Sequence, residues 1–560
     1  MLGVCVLWFF VIARLFTLQI WQHELYASLA AGTHEIYKEL LPRRGTVYIQ
    51  DGETLFPAAL NRVLYQVYAD TRSLNDPEDT AVRIAPLVGM DKNEQFMLFL
   101  KLKEAKERND PFEPIKQKIT EEEKTAIEAL KIKGIGFAQQ PFRYYPEEEI
   151  GAATIGFFGM GSDGKAVGRY GVEGYFDATL SGEPGFIRGE RDAIGAWIPL
   201  GRRSFSPAHD GADIVLTIDR TIQYELCTTL EAHRIEFEAQ SAAAVVMDPK
   251  TGAIKALCSA STFDPNKYNE VESVDIYNNQ AIFKAYEPGS VFKPFTMAAA
   301  LDQEVVTPDT TYVDEGSRKF GNFTIRNASN KVYGEQTMTN VLEFSINTGM
   351  IFVVEKLGKE IFREYVQRFG FGTRTGVQLD TEAAGDTSSL DQKGEIYAAT
   401  ASFGQGVLVT PVQLAAAFSA IANRGELPRP YIVQEIRYSN GEIKKTEPSV
   451  VRRVLSDRAT ALIVGMLVST VENGFYRPAR VPGYYVAGKT GTAQIAEGGD
   501  YVEGATNHTF VGFAPAEDPR FVMVIKYEKP KRNFADATTA ATFGTMAKFL
   551  LQYYGVAPTR

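Results

Sequence analysis

Leu2 to Trp21 read LGVCVLWFFVIARLFTLQIW, twenty residues broken by a single charge, Arg14. At about 1.5 Å per residue a helix of this length matches the roughly 30 Å hydrocarbon core of a bilayer. A cleaved signal peptide would show a basic start and a small-residue cleavage site, and neither is clear here. The alternative is a buried core helix. No basic residue precedes the run, so flanking charge does not orient it. Arg14 can snorkel to an interface or meet a partner within the membrane. The expectation is a single anchor over residues 1–22 with everything after it outside the cytoplasmic membrane.

The remaining chain is too long for one core. At 560 residues it predicts two or more domains. A hydrophobic share of 45% and a charged share of 23% are those of an ordinary globular protein. The balance of 59 basic against 69 acidic residues, net −10, argues against a general nucleic-acid binder. Cys5 lies in the apolar run, and Cys227 and Cys258 form neither a zinc nor a redox spacing. Two cysteines also give no disulfide framework. His23, His34, His209, His233 and His508 include no pair at metal-ligand spacing, so no metal site is expected.

Residues 23–40 read as helical and lead into Arg44-Gly45-Thr46-Val47-Tyr48. Val63 to Tyr68 alternates like a strand. Residues 92–133, rich in Lys and Glu with apolar residues at helical spacing, read as surface helices. Glycines crowd residues 151–195 and predict turns and extended connections. A second domain is expected to open near Gly211, with Ile214 to Ile218 a strand and Asp219 capping a helix from Arg220. Ala242 to Met247, a turn over Asp248 to Gly252, and Ala253 to Cys258 read as a hairpin. An apolar helix is expected over 540–554. Domains of 23–210 and 211–560 follow, the second with helices against a mainly antiparallel sheet.

Three short motifs carry the chemistry. In Glu287-Pro288-Gly289-Ser290-Val291-Phe292-Lys293, Pro and Gly break the preceding structure and Ser290 opens an apolar helix. The i to i+3 spacing puts Ser290 and Lys293 on one face. A serine hydroxyl needs a neighbouring base, and a lysine serves as one only when desolvation or a second cation lowers its pKa. In Ser345-Ile346-Asn347 a hydroxyl and an amide reach one cleft from a turn. In Lys489-Thr490-Gly491-Thr492, on a strand, Lys489 and Gly491 share a face. Gly491 then admits a substrate or Ser290 close to the backbone. Chance alone supplies roughly one or two S-x-x-K or S-x-N matches in such a chain. Ser162 to Lys165 and Ser73 to Asn75 are examples. The first lies in a glycine-rich turn that cannot align Ser with Lys, whereas Lys-Thr-Gly occurs once.

The ordered set S-x-x-K, S-x-N, K-T-G resembles that of penicillin-binding proteins and serine β-lactamases. Arg44-Gly45-Thr46-Val47-Tyr48, Gly171-Val172-Glu173 and Leu180-Ser181-Gly182 resemble elements of the class B N-terminal domain. Phe403-Gly404-Gln405-Gly406 and Thr410-Pro411-Val412-Gln413-Leu414 resemble the transpeptidase domain. Two departures are a middle Ile346 where Asp is common, and Asp51 falling later than the family's usual aspartate. The resemblance implies a peptidoglycan D,D-transpeptidase without cofactor or metal. In it Ser290 attacks the D-alanyl-D-alanine carbonyl of a stem peptide, Lys293 is the general base, and Ser345 relays a proton to the leaving amine. Asn347 holds Lys293 and the substrate amide, and Lys489 and Thr490 bind the terminal carboxylate. The backbone N–H groups of Ser290 and Thr492 form an oxyanion hole, worth about 3–4 kcal/mol per donor. β-Lactams would acylate Ser290, residues 23–210 would form a pedestal, and a polytopic membrane glycosyltransferase would be the partner.

Other readings fit less well. A class A β-lactamase needs a glutamate loop to activate a deacylating water, and none is evident between Asn347 and Lys489. A silent scaffold would be expected to lose Ser290 or Lys293. Glu287 before Pro-Gly-Ser resembles the division branch, where elongation-type enzymes more often carry a second proline. Both roles stay open.

Overall fold

The computed structural model describes residues 35–161, 164–190, 203–497 and 500–560, with 8, 14–17 and 20 near the start. The expected span Leu2–Trp21, most of the helix expected from residue 23, and Ser162 of the discarded motif lie outside them. Among the described residues no helix is long and apolar enough to cross a membrane.

Five antiparallel strands form the central sheet of the larger compact unit: β1 (Ser241–Met247), β2 (Ile254–Ala260), β3 (Ala487–Glu497), β4 (Asp500–Ala514) and β5 (Phe521–Glu528). Their order is β2-β1-β5-β4-β3, which leaves β3 at an edge. The expected hairpin is β1–β2, closed by Asp248, whose carboxylate accepts the Lys250 N–H at 2.8 Å. β5 is buried along its whole length, as a central strand covered on both faces must be. On one face pack α1 (Arg220–Glu236) and α5 (Thr539–Tyr553), enclosing Leu226, Leu230, Phe510, Phe543 and Leu550. Asp219 caps α1 as expected, accepting from the Ile222 N–H at 3.0 Å. Cys227 of α1 and Cys258 of β2 are joined in a disulfide with Cα atoms 5.4 Å apart. This corrects the sequence expectation: residues 31 apart in the chain become neighbours only once α1 lies on the sheet.

The same unit holds a seven-stranded sheet built on Val47–Asp51 and the long strand Thr54–Ala69. Val47–Asp51 pairs in parallel with Asp213–Asp219, joining segments far apart in sequence. Helices Lys92–Glu107 and Glu121–Ala129 each begin with a capping box, Asp91 with Glu94 and Thr120 with Glu123. A strand, Glu113–Ile119, runs between them, so residues 92–133 are not helical throughout. Ile115 and Ile119 reach the core there while Gln117 and Lys118 are exposed.

The smaller unit comprises residues 1–45, 178–213 and 437–442. Glu35–Leu40 is a strand, not the helix expected, because it pairs antiparallel with Gly185–Glu190. Arg203–Ser206 completes this sheet. The Arg44 guanidinium donates to Ser181 Oγ at 2.7 Å, and the Gly45 N–H to the Leu180 carbonyl at 2.8 Å. A Cβ at Gly45 would stand 1.9 Å from the Ala212 carbonyl oxygen, so these backbones cross only because that residue is glycine.

Candidate active site

Ser290 lies on a single 3₁₀ turn, Gly289–Phe292, that runs straight into α2 (Lys293–Asp302). Side chains at i and i+3 eclipse in a 3₁₀ turn, so Ser290 and Lys293 stack on one side. Lys293 to Leu301 of α2 are buried, and Phe295 meets Phe418 of α4 (Pro411–Ala422) edge-on at 5.2 Å. α4 starts at Thr410, capped reciprocally by Gln413, with Pro411 at its first position. The nucleophile turn therefore sits on a packed helical layer.

Two glycines let other segments close on this turn. The Gly289 N–H donates to the Gly404 carbonyl at 3.0 Å, and a Cβ at Gly404 would meet the Gly289 oxygen at 2.2 Å. A Cβ at Gly491 would meet the Pro288 oxygen at 2.6 Å. The backbone of β3 thus lies against the turn bearing Ser290, as the Lys-Thr-Gly spacing predicts. Glu287, one turn earlier, accepts the Gly406 N–H at 2.7 Å and the Tyr501 hydroxyl at 3.1 Å. Burial raises the pKa of its carboxyl.

Lys293 is wholly buried. Its Nζ donates to the Ser345 carbonyl at 2.5 Å and to Asn347 Oδ1 at 2.9 Å, and lies 3.1 Å from Ser345 Oγ. Burial first, and the charge of Lys489 second, hold this amine well below the ordinary lysine range. A neutral amine has two N–H donors and one lone pair. Two carbonyl acceptors take the donors, and the lone pair remains for a hydroxyl proton.

Lys489 is equally buried, and its Nζ reaches Tyr476 OH at 2.8 Å, Ser345 Oγ at 3.1 Å and the Thr490 carbonyl at 3.1 Å. It lies 4.5 Å above the Tyr476 ring centroid. Burial lowers its pKa while Tyr476 works in the opposite direction. Ser345 Oγ thus bridges two lysines. Ser345 has φ +55°, a left-handed backbone that non-glycine residues adopt at a cost. Thr490 is buried, whereas Thr492 is exposed and its hydroxyl accepts the Ala535 N–H at 3.3 Å.

A second layer was invisible in the sequence. Asn347 opens α3 (Asn347–Leu357), and its amide donates to the Arg326 carbonyl at 3.0 Å, which turns Oδ1 toward Lys293. Asn327 Oδ1 accepts from the N–H groups of Asn347 and Thr348, and its Nδ2 donates to Asp314. Burial opposes ionisation of Asp314, yet hydrogen bonds from Thr348, Gly316, Tyr333 and Asn327 together hold its carboxyl below the usual range. These polar residues follow no periodicity, so no sequence signal marks them.

Residues 242–548 match the penicillin binding protein transpeptidase domain, and residues 39–216 the penicillin-binding protein dimerisation domain. The chain belongs to the class B penicillin-binding proteins. Among the relatives of this class B penicillin-binding protein, stage V sporulation protein D of Bacillus subtilis is 33% identical over 553 residues, 98% of this chain and 84% of that one. Peptidoglycan D,D-transpeptidase FtsI of Escherichia coli is 30% identical over 438 residues, 77% of this chain and 71% of that one. Among solved structures, penicillin binding protein 3 of Mycobacterium tuberculosis complexed with aztreonam aligns with a TM-score of 0.71 at 25% identity, covering 93% of this chain and 98% of that one. Penicillin binding protein 2X of Streptococcus thermophilus shares the fold at a TM-score of 0.76 and 22% identity, covering 92% and 80%.

Proposed function

We propose that this class B penicillin-binding protein is a serine D,D-transpeptidase that cross-links peptidoglycan stem peptides through an acyl-enzyme on Ser290. The observation that carries the reading is Lys293, buried and with both donors engaged, so that its lone pair can take a hydroxyl proton. Ser290 Oγ gives its proton to Lys293 Nζ and attacks the penultimate D-alanine carbonyl. The N–H groups of Ser290 and Thr492 hold the oxyanion. Lys293, now an ammonium, turns its third N–H to Ser345 Oγ and passes that proton on as Ser345 gives its own to the departing amine; the C–N bond breaks and D-alanine leaves. An amine from a neighbouring stem peptide then attacks the ester, returns its proton through Ser345 and Lys293, and restores Ser290. Asn347 orients Lys293 and the substrate amide. Lys489 and Thr490 draw the terminal carboxylate, Lys489 acting by its charge from beneath Ser345.

β-Lactams acylate Ser290 in this reading, in keeping with the aztreonam complex of the mycobacterial protein. Residues 1–22 anchor the chain in the cytoplasmic membrane, 23–210 form a pedestal, and 211–560 work outside, with a polytopic membrane glycosyltransferase supplying glycan strands. Glu287 before Pro-Gly-Ser favours a role in division. The sporulation-named relative, matching 98% of the chain, supports a second setting in sporulation. Depletion separates the settings: filaments support division, rounded cells favour elongation, and loss of spores alone favours sporulation.

The chemical test is labelling of the full chain with a fluorescent penicillin beside Ser290→Ala. Stable label on the wild type and none on the variant is expected. A folded wild-type protein that takes no label would overturn the assignment.

A further inference from the structure

Resting on that reading, the surroundings of Ser345 say where the second substrate enters. The amine that attacks the acyl-enzyme takes the position the departing amine vacated, since both exchange a proton with Ser345. The acceptor arm must therefore run past Ser345 on its open side. Lys293 and Lys489 both contact the Ser345 hydroxyl, and Asn347 and Tyr476 hold those two amines.

Aromatic rings adjoin two of these residues in the chain. Two dipeptides, Phe344-Ser345 and Phe475-Tyr476, each place one residue on Lys489 and the other at the rim. Ser345 Oγ and Tyr476 OH both contact Lys489 Nζ, while the rings of Phe344 and Phe475 lie 5.9 Å apart. Tyr333 stacks behind Phe344 at 5.9 Å and 12°, with Lys331 Nζ 4.5 Å above its ring. Phe475 is 55% exposed, a large apolar surface left open one residue from a ligand of Lys489.

We propose that Phe475, backed by Phe344 and Tyr333, is the acceptor subsite, and that it takes a primary ammonium carried on an aliphatic arm of the incoming peptide. An alkyl chain packs on an aromatic face, and an ammonium is drawn to the ring before it loses a proton to solvent water and attacks as the neutral amine. Phe344 occupies one side of Phe475 and leaves the rest of the ring to the acceptor.

The acyl-enzyme partitions between water and an amine, and that ratio isolates this subsite. The full chain would be acylated with a thioester donor ending in D-alanine, with Nα-acetyl-lysine amide added as acceptor. In Phe475→Ala the ratio of aminolysis to hydrolysis is expected to fall about five- to tenfold. Acylation by the thioester donor, whose leaving thiol carries no amine on an aliphatic arm to lie on the ring, should keep its rate, and Phe475→Tyr should restore most of the ratio. An unchanged ratio overturns the subsite. A matching fall in acylation and aminolysis also overturns it, because Phe475 would then only support Tyr476 and Lys489. Absence of acylation in the wild type overturns the Ser290 reading, and the subsite with it.

Discussion

The amine of Lys293 donates to the side-chain oxygen of Asn347 across 2.9 Å, inside a cavity that leaves the lysine no exposed surface. A neutral acceptor there lets burial favour the unprotonated amine of Lys293. Asn347→Asp would set a carboxylate at the same distance and favour the ammonium, raising the lysine pKa. Because the base acts only when neutral, the acid limb of the acylation rate moves to higher pH. Acylation by fluorescent penicillin should drop most at the acid end of the profile, by roughly tenfold or more, and recover in part under alkaline conditions. An equal loss at every pH would show that geometry, not charge, was broken.

Gly491 lets the edge strand touch the nucleophile turn. A Cβ there would stand 2.6 Å from the Pro288 oxygen and 3.1 Å from the Val291 nitrogen, so turn or strand must move. Gly491→Ala should fold, since the strain is local, yet acylate at least about tenfold more slowly, because small misplacements of reacting groups cost rate steeply. Circular dichroism and penicillin labelling on one preparation test both halves.

The parts of the site set by short-range rules were readable in the sequence. Ser290 and Lys293 three residues apart, the alternation around Lys489, and Asp219 ahead of α1 each follow from local geometry. Glu35–Leu40 reads as helix because its strand partner lies about 150 residues downstream, at Gly185–Glu190. The Cys227–Cys258 bond and the Asp314–Asn327–Asn347 layer escaped for the same reason: their partners meet only in the folded chain. The aromatic rim was hidden as well, since Phe344 and Phe475 read singly are ordinary core residues.

Asn327 is the joint of that hidden layer, binding Asp314 on one side and the N–H groups of Asn347 and Thr348 on the other. Asn327→Ala would strand buried polar groups on both sides, at a cost of about 2–4 kcal/mol. It should also slow acylation by freeing the turn that holds Asn347. Thermal denaturation reads the first effect. Restoration of the rate by the conservative Asn327→Gln, without restored stability, would separate the two.

His508 lies on β4 opposite Thr492, buried, with ring nitrogens 2.9 Å from Thr538 Oγ1 and 3.1 Å from Thr506 Oγ1. Burial pushes its pKa down to about 4. Unfolded, it returns to about 6.5, so between these values the unfolded chain binds the extra proton. Stability is therefore full above pH 6.5 and is lost as pH falls toward 4, by up to about 3 kcal/mol from this group. Urea midpoints measured across that window should fall less steeply in His508→Gln than in the wild type. Parallel curves would place the ionisation elsewhere.

Glu173 gives the Gly-Val-Glu element a physical reason. It is wholly buried at the short helix Gly171–Tyr175, and its Oε1 accepts from Arg143 Nε at 2.6 Å and from the Tyr145 hydroxyl at 3.4 Å. Arg143 is next to last in the strand Ile135–Tyr144 and its side chain is only 2% exposed, so neither charge can turn to water. Forming such a pair gains little over apolar packing, but removing one partner leaves the other charge buried alone. Glu173→Ala should therefore destabilise the protein by about 3–5 kcal/mol, seen as a lower Tm. The double variant Arg143→Met with Glu173→Leu should recover most of that loss. If the single and double variants melt together, the energy lies in packing around the helix rather than in the stranded arginine.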